Sequence, residues 1–331
     1  MADQSLRIWT DDPARPGRLA LCRGWQMIDY WPAPPDPTTG PGAVHLARLE
    51  QLFPAHRRGR VRLADGAEAS FRLPVRHHLQ AGQLIFVTLN AEAASSKPLQ
   101  ASLGIQLAGR AVVLLAGETA AKLPDGVQLP DGFGTIWRRR ATAIPATGIQ
   151  AEIDRLLGRW AERLAEPQDL LAADAAAQLL KAADLREEAA LAAPQLELLA
   201  AEDEAWADWQ EQARTACEPE LETASGFMLH FGQTRALTAI DVDSAASHLA
   251  AQDRLEEICR AVMDGVRLRR LSGLILLDMP RLQKRPQQRC LDLLWRFAAD
   301  DPRHPEILGL GPAGLIEMTV RRQRRPLDQL A

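Results

Sequence analysis

The sequence contains few cysteines, few lysines and no long hydrophobic run. Its four cysteines are Cys22, Cys217, Cys259 and Cys290, and no two of them have Cys-x-x-Cys spacing. This argues against a cysteine-based zinc site and a disulfide framework, so we expect four reduced thiols.

No apolar run reaches the roughly 18 residues that a membrane-spanning helix needs. The first residues lack the basic and apolar regions of a signal peptide. We therefore expect a cytoplasmic protein without membrane segments.

The remaining composition is that of an ordinary globular protein. The chain has 331 residues, of which 47% are hydrophobic and 25% are charged. This length is sufficient for about two domains with a sizeable core, and this composition excludes global disorder.

The charge is unevenly distributed along the chain. The net charge is only −4, which disfavours a uniformly basic nucleic-acid-binding protein. Residues 151–224, however, carry 18 acidic against 6 basic side chains, whereas residues 266–331 carry 13 basic against 7 acidic ones. A polyanion can therefore dock at the basic end. Nearly all the basic residues are arginines, which match phosphate geometry but also accompany a GC-rich genome.

Five segments with different patterns follow one another along the chain. Residues 1–42 combine short strand-like pieces with a proline-rich linker. Residues 43–117 consist of short strands and turns. Residues 118–160 hold one short strand and then an apolar helical face. Residues 161–223 are acidic and predicted to be helical. Residues 224–327 alternate strands and helices, which predicts neighbouring, buried and parallel strands.

The second segment favours a small barrel. Residues 61–63 and 69–73 alternate in polarity on either side of a turn at 64–66, and residues 84–89 and 111–115 are apolar runs. About five short strands in 75 residues are typical of an OB-fold barrel.

Two aspartates follow apolar strands in the last segment. Asp241 follows residues 236–240, and Asp278 follows residues 274–277. Ligands of open α/β sheets bind beyond the carboxyl ends of the strands, and two adjacent carboxylates favour a hard divalent cation such as Mg²⁺. Asp243 would point to the same side as Asp241 and is a third candidate ligand. The alternative is that each aspartate only begins a turn or caps a helix.

Four blocks of the sequence resemble the ribonuclease E/G family, in the same order. Residues 225–244 read SGFMLHFGQTRALTAIDVDS and resemble the family's catalytic segment, which ends in Ala-Ile-Asp-Val-Asn-Ser. Residues 267–279 resemble its Arg-Leu-Arg-Asp-Leu-Gly-Gly motif with the following strand and Asp. Residues 314–319 resemble its Gly-Leu-x-Glu-Met-Thr motif, and residues 96–110 resemble the end of its OB-fold domain.

The resemblance implies an α+β composite fold and an activity. The expected fold is an OB-fold β-barrel (43–117) inserted in an RNase H-like scaffold (1–42 and 161–223), with a sensor-like region (118–160) and a DNase I-like α/β catalytic domain (224–327). The implied activity is Mg²⁺-dependent endonucleolytic cleavage of single-stranded RNA, with Mn²⁺ as a substitute cation.

The resemblance also assigns residues to roles. Asp241 and Asp278 correspond to the two metal-ligating aspartates, and Asp243 stands where the family has an Asn that orients the site. The expected RNA-binding residues are Lys97 and Phe71 in the RNA channel, Arg138 and Arg139 in the 5′-phosphate sensor, and Arg321 and Arg322 in the Arg-rich tail.

Several of these residues have other interpretations on sequence grounds. Core packing is the alternative for Phe71, and a solvated tail is the alternative for residues 321–325. His77, His78 and His230 have no companion at ligand spacing, so we predict them to be surface or core residues.

The sequence departs from the family pattern at several positions. Arg139 replaces the sensor Thr, Arg235 replaces a Glu before the catalytic strand, and Arg281 replaces a second Asp after Asp278. The paired zinc-binding cysteines of the family are not found, so we expect no zinc, and assembly into an oligomer, if any, should not be zinc-linked.

Three hypotheses on function follow. The first is an active endoribonuclease that acts on single-stranded RNA. The second is a catalytically impaired RNA-binding protein of the same family. The third is an interaction module that works through the acidic helical segment.

Overall fold

The structure is a computed structural model of the chain. It describes residues 5–32, 36–93, 98–116, 123–138, 141–142, 144–163, 176–193, 196–244, 247–299 and 301–329, and the statements below concern these residues. None of the described helices is both long and apolar enough to cross a membrane.

The described residues form nineteen strands and five α-helices, with short 3₁₀ turns between some of them. The strands are β1 (Leu6–Thr10), β2 (Leu19–Arg23), β3 (Gln26–Trp31), β4 (Val44–Phe53), β5 (Arg58–Arg62), β6 (Glu68–Arg72), β7 (Leu84–Ala91), β8 (Leu99–Leu103), β9 (Gln106–Ala108), β10 (Val112–Ala116), β11 (Phe133–Trp137), β12 (Gln178–Lys181), β13 (Leu198–Ala200), β14 (Glu220–Glu222), β15 (Met228–Gln233), β16 (Leu237–Asp243), β17 (Gly273–Asp278), β18 (Glu306–Leu310) and β19 (Ile316–Val320). The helices are α1 (Ala146–Arg163), α2 (Leu185–Ala192), α3 (Asp203–Thr215), α4 (Leu255–Leu268) and α5 (Lys284–Ala298).

The chain divides into two compact units, which are described separately. Unit 1 comprises Met1–Ala33 and Ala192–Ala331, and unit 2 comprises Pro34–Leu191. The five segment boundaries inferred from the sequence remain predictions.

Unit 2 contains a closed five-stranded barrel. Its strands follow the order β4-β5-β6-β8-β7, and β7 pairs back with β4. This arrangement is consistent with the OB-fold expected from the sequence. Alternate residues such as Val61, Ala69 and Phe71 point into the barrel core. Gly66 has a φ of +89°, which permits the tight turn between β5 and β6.

A second small sheet in unit 2 differs from the prediction for residues 43–117. The apolar run at 112–116 forms β10 outside the barrel, in an antiparallel sheet with β9 and β11. Helix α1 packs Ile149 and Ile153 into one core with residues of this sheet. An apolar run shows that a strand is buried but not which of two adjacent cores buries it. The prediction therefore assigned this run to the barrel.

The acidic segment is less helical than predicted. The described part of 161–223 contains strands β12, β13 and β14 as well as helices α2 and α3. Strand β12 pairs with β4 in unit 2, and β13 pairs with β1 in unit 1. These short strands are formed through pairing with strands distant in sequence, which local composition does not reveal.

Unit 1 holds two sheets with helices packed against them. The four-stranded sheet β13-β1-β2-β3 is covered by α3, whose Trp206 and Trp209 share a core with Cys22 and Met27. The six-stranded sheet has the order β14-β15-β16-β17-β19-β18, and apolar side chains of its strands form one core with those of α4 and α5. Only β16 and β17 pair in parallel, whereas their neighbours are antiparallel. The parallel arrangement predicted for this segment is therefore correct for one pair.

Candidate active site

Asp241 and Asp278 lie side by side on the six-stranded sheet. Strands β16 and β17 pair Asp241 directly with Asp278 in parallel register. Register partners in a sheet point to the same face, and their strands lie about 4.8 Å apart. Both side chains are exposed. The structure thus brings together the two carboxylates on which the metal hypothesis depends.

The position of Asp241 differs in one detail from the expectation. Strand β16 continues for two residues beyond Asp241 and ends at Asp243, whereas Asp278 is the last residue of β17. Because side chains alternate along a strand, Asp243 faces the same side as Asp241. Asp243 is also exposed. All three carboxylates therefore share one face at one end of this strand pair.

The opposite face of the same strands holds the carboxylates in place. Ile240 and Val242 in β16, and Ile275 and Leu277 in β17, are buried in the core formed with α4 and α5. This alternation of buried apolar and exposed polar residues determines which side of the sheet each residue faces. A shift of one residue in register would turn the aspartates into the core, so the packing specifies their placement.

Two further residues extend this face, namely His230, which was predicted to be a surface or core residue, and Glu220, which the sequence did not single out. His230 in β15 is the register partner of Asp241, and Glu220 in β14 is the register partner of His230. Oε1 of Glu220 lies 3.4 Å from Nδ1 of His230. A row of polar side chains therefore crosses four strands to Asp278. The sequence separates these residues, and only the strand pairing could have placed His230 beside Asp241.

The donor set fits Mg²⁺. Exposed carboxylate oxygens are the ligands that Mg²⁺ prefers, and Mg²⁺ commonly uses one or two carboxylates together with waters and substrate phosphates. Within the described ranges, no group of three or more His, Cys, Asp or Glu side chains is arranged to hold a metal ion. Two carboxylates leave the remaining coordination positions of such a cation to water and substrate.

The residues expected to contact RNA in the barrel and in the sensor-like region have different outcomes. Lys97 and Arg139 lie outside the described residues. Arg138 is half-buried directly after β11, and its backbone N–H donates to the carbonyl of Ala111 at 2.8 Å. The RNA-binding role of these residues stays a prediction.

Phe71 lies inside the barrel. Its side chain is only 1% exposed and belongs to the barrel core. Gly59 lies against the ring, since a Cβ atom added there would be 2.3 Å from Cζ of Phe71. A base cannot stack on a ring in this position, so the core-packing interpretation describes Phe71 as the structure shows it.

A concave surface on the barrel combines an aromatic ring with arginines. It is lined by Phe53, His56, Arg58, Arg60, Glu68, Ala69, Ser70 and Pro98. The guanidinium of Arg60 lies 6.0 Å from the centre of the Phe53 ring and is also within 4 Å of Glu50 and Glu68. An aromatic ring beside arginines combines a stacking platform with phosphate-binding groups.

The Arg-rich segment after β19 packs against the end of β3 within unit 1. Nη1 of Arg324 donates to the carbonyl of Tyr30, and its guanidinium lies 4.4 Å from the Trp31 ring centre. Arg321 is exposed and Arg322 is partly buried. The segment is therefore not a solvated tail throughout, although Arg321 is accessible to a ligand.

Comparison with known proteins relates this chain to RNA-cleaving enzymes. The family model described as the ribonuclease E/G family matches residues 172–325, which include all three aspartates. Ribonuclease G of Salmonella typhimurium (strain SL1344) is 29% identical over 130 residues, covering 37% of this chain and 27% of that protein. Ribonuclease G of Escherichia coli (strain K12) is 28% identical with the same coverage. Ribonuclease E of Nostoc sp. (strain PCC 7120) is 31% identical over 124 residues, covering 35% of this chain and 18% of that protein. The chain therefore matches about a quarter of the length of these ribonucleases G.

Proposed function

Because the chain belongs, through residues 172–325, to the ribonuclease E/G family, we propose that it is a Mg²⁺-dependent endoribonuclease that cleaves single-stranded RNA. The observation that supports this proposal most directly is the parallel register of Asp241 and Asp278 on an exposed face. The relatives are named ribonucleases G and E, and cleavage of RNA is the activity that their names state.

The aspartates would hold the cation. Asp241 and Asp278 would each supply a carboxylate oxygen, and Asp243 would lie next to the same site. When bound, Mg²⁺ supplies an activated water for attack on the scissile phosphate and stabilises the leaving oxygen. Without a cation these carboxylates would repel the RNA backbone, because the carboxylates and the phosphates are both negatively charged. The acidic face therefore makes RNA binding at this site depend on the metal.

The sheet would position the carboxylates, and the barrel would bind the RNA. The apolar core beneath β16 and β17 fixes the positions of the carboxylates. The concave barrel surface at Phe53, Arg58 and Arg60 would bind single-stranded RNA by stacking and by contacts with phosphates. We also propose that the six-stranded sheet with α4 and α5 is the DNase I-like domain, and that the β1–β3 sheet with α3 belongs to the RNase H-like scaffold. A cytoplasmic location is proposed, since all four cysteines are free thiols.

An RNA-cleavage assay tests this proposal. A labelled single-stranded RNA is incubated with the protein, with and without Mg²⁺, and with an Asp241→Asn, Asp278→Asn double variant. We expect Mg²⁺-dependent cleavage by the wild type and a loss of at least about 100-fold in the double variant, since the metal site would be removed. Asp292→Asn, which changes an exposed aspartate on α5, is the matched control. Equal cleavage by the double variant and the control would refute the mechanism.

The second candidate is an RNA-binding protein with impaired catalysis. Asp243 favours it, because this residue adds a negative charge where the related catalytic segment has an Asn. Under this alternative the protein would bind the RNA but leave it intact at saturating Mg²⁺ or Mn²⁺. The same assay, combined with a binding measurement, separates the two candidates.

A further inference from the structure

An arginine-rich cavity in unit 1 lies apart from the aspartate pair. Five arginines and one aspartate line it, namely Arg267, Arg270, Arg303, Arg321, Arg324 and Asp29. We refer to it as the Asp29 cavity. Arg267 and Arg270 come from the end of α4 and the turn that follows it, and Arg321 and Arg324 follow β19. Arg303 precedes β18, so arginines from three separate parts of the chain line the cavity together with Asp29.

The cavity carries an excess of positive charge. Nε of Arg267 donates to Oδ2 of Asp29 at 2.9 Å, and Nη1 of Arg324 lies 3.6 Å from Oδ1 of the same carboxylate. The guanidinium of Arg303 donates to the carboxylate of Asp301 and forms an ion pair with it. Asp301 does not line the cavity. Asp29 is therefore the single carboxylate among the lining residues, facing several guanidiniums. Buried charges of one sign call for a counter-charge.

One guanidinium nitrogen of Arg267 lacks a hydrogen-bond partner among the residues that the structure describes. Arg267 is only 7% exposed, and its Nη2 is buried without a partner among the residues that the structure describes. Buried N–H groups are nearly always paired, so this nitrogen is available to donate to a bound ligand.

The shape of the cavity restricts that partner. Its enclosed part admits about one oxygen atom or one water molecule. The rim carries the exposed Arg321 and the half-buried Gln323, both of which have N–H donors. A tetrahedral oxyanion fits this arrangement, because one oxygen can enter while the others stay at the rim.

We propose that the Asp29 cavity binds a phosphate group, with one oxygen accepting from Nη2 of Arg267 and the others from Arg321 and Gln323. The ligand is either inorganic phosphate or a phosphate of an RNA chain, since both present the same oxygens. The RNA source rests on the proposed function, whereas the binding of inorganic phosphate does not.

The cavity is separate from the aspartate pair. Gly273, the first residue of β17, pairs with Val320 directly before Arg321, whereas Asp278 is the last residue of β17. Five residue steps along a strand correspond to about 16 Å. A phosphate in the Asp29 cavity would therefore occupy a different place from the scissile phosphate.

Thermal unfolding in phosphate tests the proposal. The midpoint is measured in inorganic phosphate and in chloride at equal ionic strength and pH, without divalent cations. We expect phosphate to raise the wild-type midpoint by roughly 3–5 °C at ten times its dissociation constant. Arg321→Gln should lower the phosphate affinity about tenfold or more, because it removes a charged donor at the rim. Arg289→Gln, which changes an exposed arginine on α5, should leave the shift unchanged.

The variants and a direct titration define what would overturn the proposal. Arg321→Lys keeps the charge and should retain part of the effect, which distinguishes loss of binding from a folding defect. Calorimetric titration with phosphate should give one site per wild-type chain. Absence of a phosphate-specific shift in the wild type would mean that the cavity holds water within a purely structural network. An equal shift in Arg321→Gln and the wild type would place the phosphate elsewhere.

The RNA source is tested on the Asp241→Asn, Asp278→Asn variant, which excludes cleavage. A single-stranded RNA should bind more weakly when inorganic phosphate is added, and the additional Arg321→Gln substitution should abolish this competition. Competition that persists after this substitution would show that RNA does not use the cavity. Phosphate binding without competition would identify inorganic phosphate as the ligand.

Discussion

Asp241 and Asp278 are direct register partners in adjacent parallel strands, although 37 positions separate them in the sequence. The same pairing aligns Ile240 with Leu277, and both of these side chains are buried in the core below. The packing of the apolar residues thus fixes the placement of the carboxylates. The site is therefore built into the sheet rather than on a loop, which favours a precise geometry.

The first prediction concerns Asp243. Asp243→Asn introduces the residue found in the related catalytic segments and removes one negative charge from the face where RNA must approach. We expect this variant to cleave RNA at the wild-type rate or faster, because repulsion of the phosphate decreases. Asp243→Ala, which also removes the polar group, should be slower than Asp243→Asn. Rates are measured with labelled RNA under single-turnover conditions, and a faster alanine variant would argue against an orienting role.

The second prediction concerns the buried ion pair between Asp29 and Arg267. Both side chains are less than 10% exposed. Asp29→Ala leaves the guanidinium of Arg267 buried without its carboxylate, which should lower the free energy of unfolding by about 3–5 kcal/mol. Urea unfolding in phosphate-free buffer measures this change. Asp253→Asn, at an exposed position, should change it by less than about 0.5 kcal/mol. A similar effect of both substitutions would show that the ion pair contributes little.

The third prediction concerns the pH dependence of stability. Burial alone would raise the pKa of Asp301, but the adjacent Arg303 and the nearby Arg267 outweigh it and lower that pKa to about 2. Because the folded pKa lies below the unfolded value of about 3.9, Asp301 stabilises the fold above pH 5, and this contribution is lost as the pH falls towards 2. Asp301→Asn should lower the free energy of unfolding by at least about 2 kcal/mol at pH 7. The difference from the wild type should shrink between pH 5 and pH 2. A difference that is constant over this range would contradict the prediction.

The fourth prediction separates packing from stacking in the barrel. Phe71→Ala should lower the free energy of unfolding by about 3–5 kcal/mol, because it leaves a cavity in the barrel core. It should not weaken RNA binding by the protein that remains folded. Phe53→Ala changes a residue of the concave surface and should weaken RNA binding by about 1–3 kcal/mol. It should change the free energy of unfolding much less than Phe71→Ala does. Thermal unfolding and fluorescence anisotropy with a labelled RNA measure the two quantities.

Much of the fold around the site could be predicted from the sequence. Apolar runs of five and four residues predicted β16 and β17, and the alternation of strands and helices in residues 224–327 predicted that helices accompany them. The elements that were missed depend on distant pairing. Strands β12 and β13 form because β4 and β1 offer them free edges, and no local pattern distinguishes them from the neighbouring helices.

The residues of the site were only partly predictable, for a related reason. Asp241 and Asp278 were identified because each follows an apolar strand. His230 and Glu220 join the same row only through antiparallel pairing. The burial of Phe71 depends on Gly59 of the neighbouring strand, which leaves room for the ring. The sequence alone shows that polar and apolar side chains alternate along a strand. It does not show which face of the strand other parts of the protein bury.

The claim that Asp241 and Asp278 share a divalent cation is tested most directly by measuring Mn²⁺ binding to the RNA-free protein with electron paramagnetic resonance. Mn²⁺ substitutes for Mg²⁺ at oxygen-rich sites and reports binding without any need for catalysis. We expect one Mn²⁺ site per chain, a loss of affinity of at least about tenfold in Asp241→Asn and in Asp278→Asn, and no change in Asp292→Asn. Equal Mn²⁺ binding by the wild type and both active-site variants would contradict the claim that these two aspartates share a divalent cation.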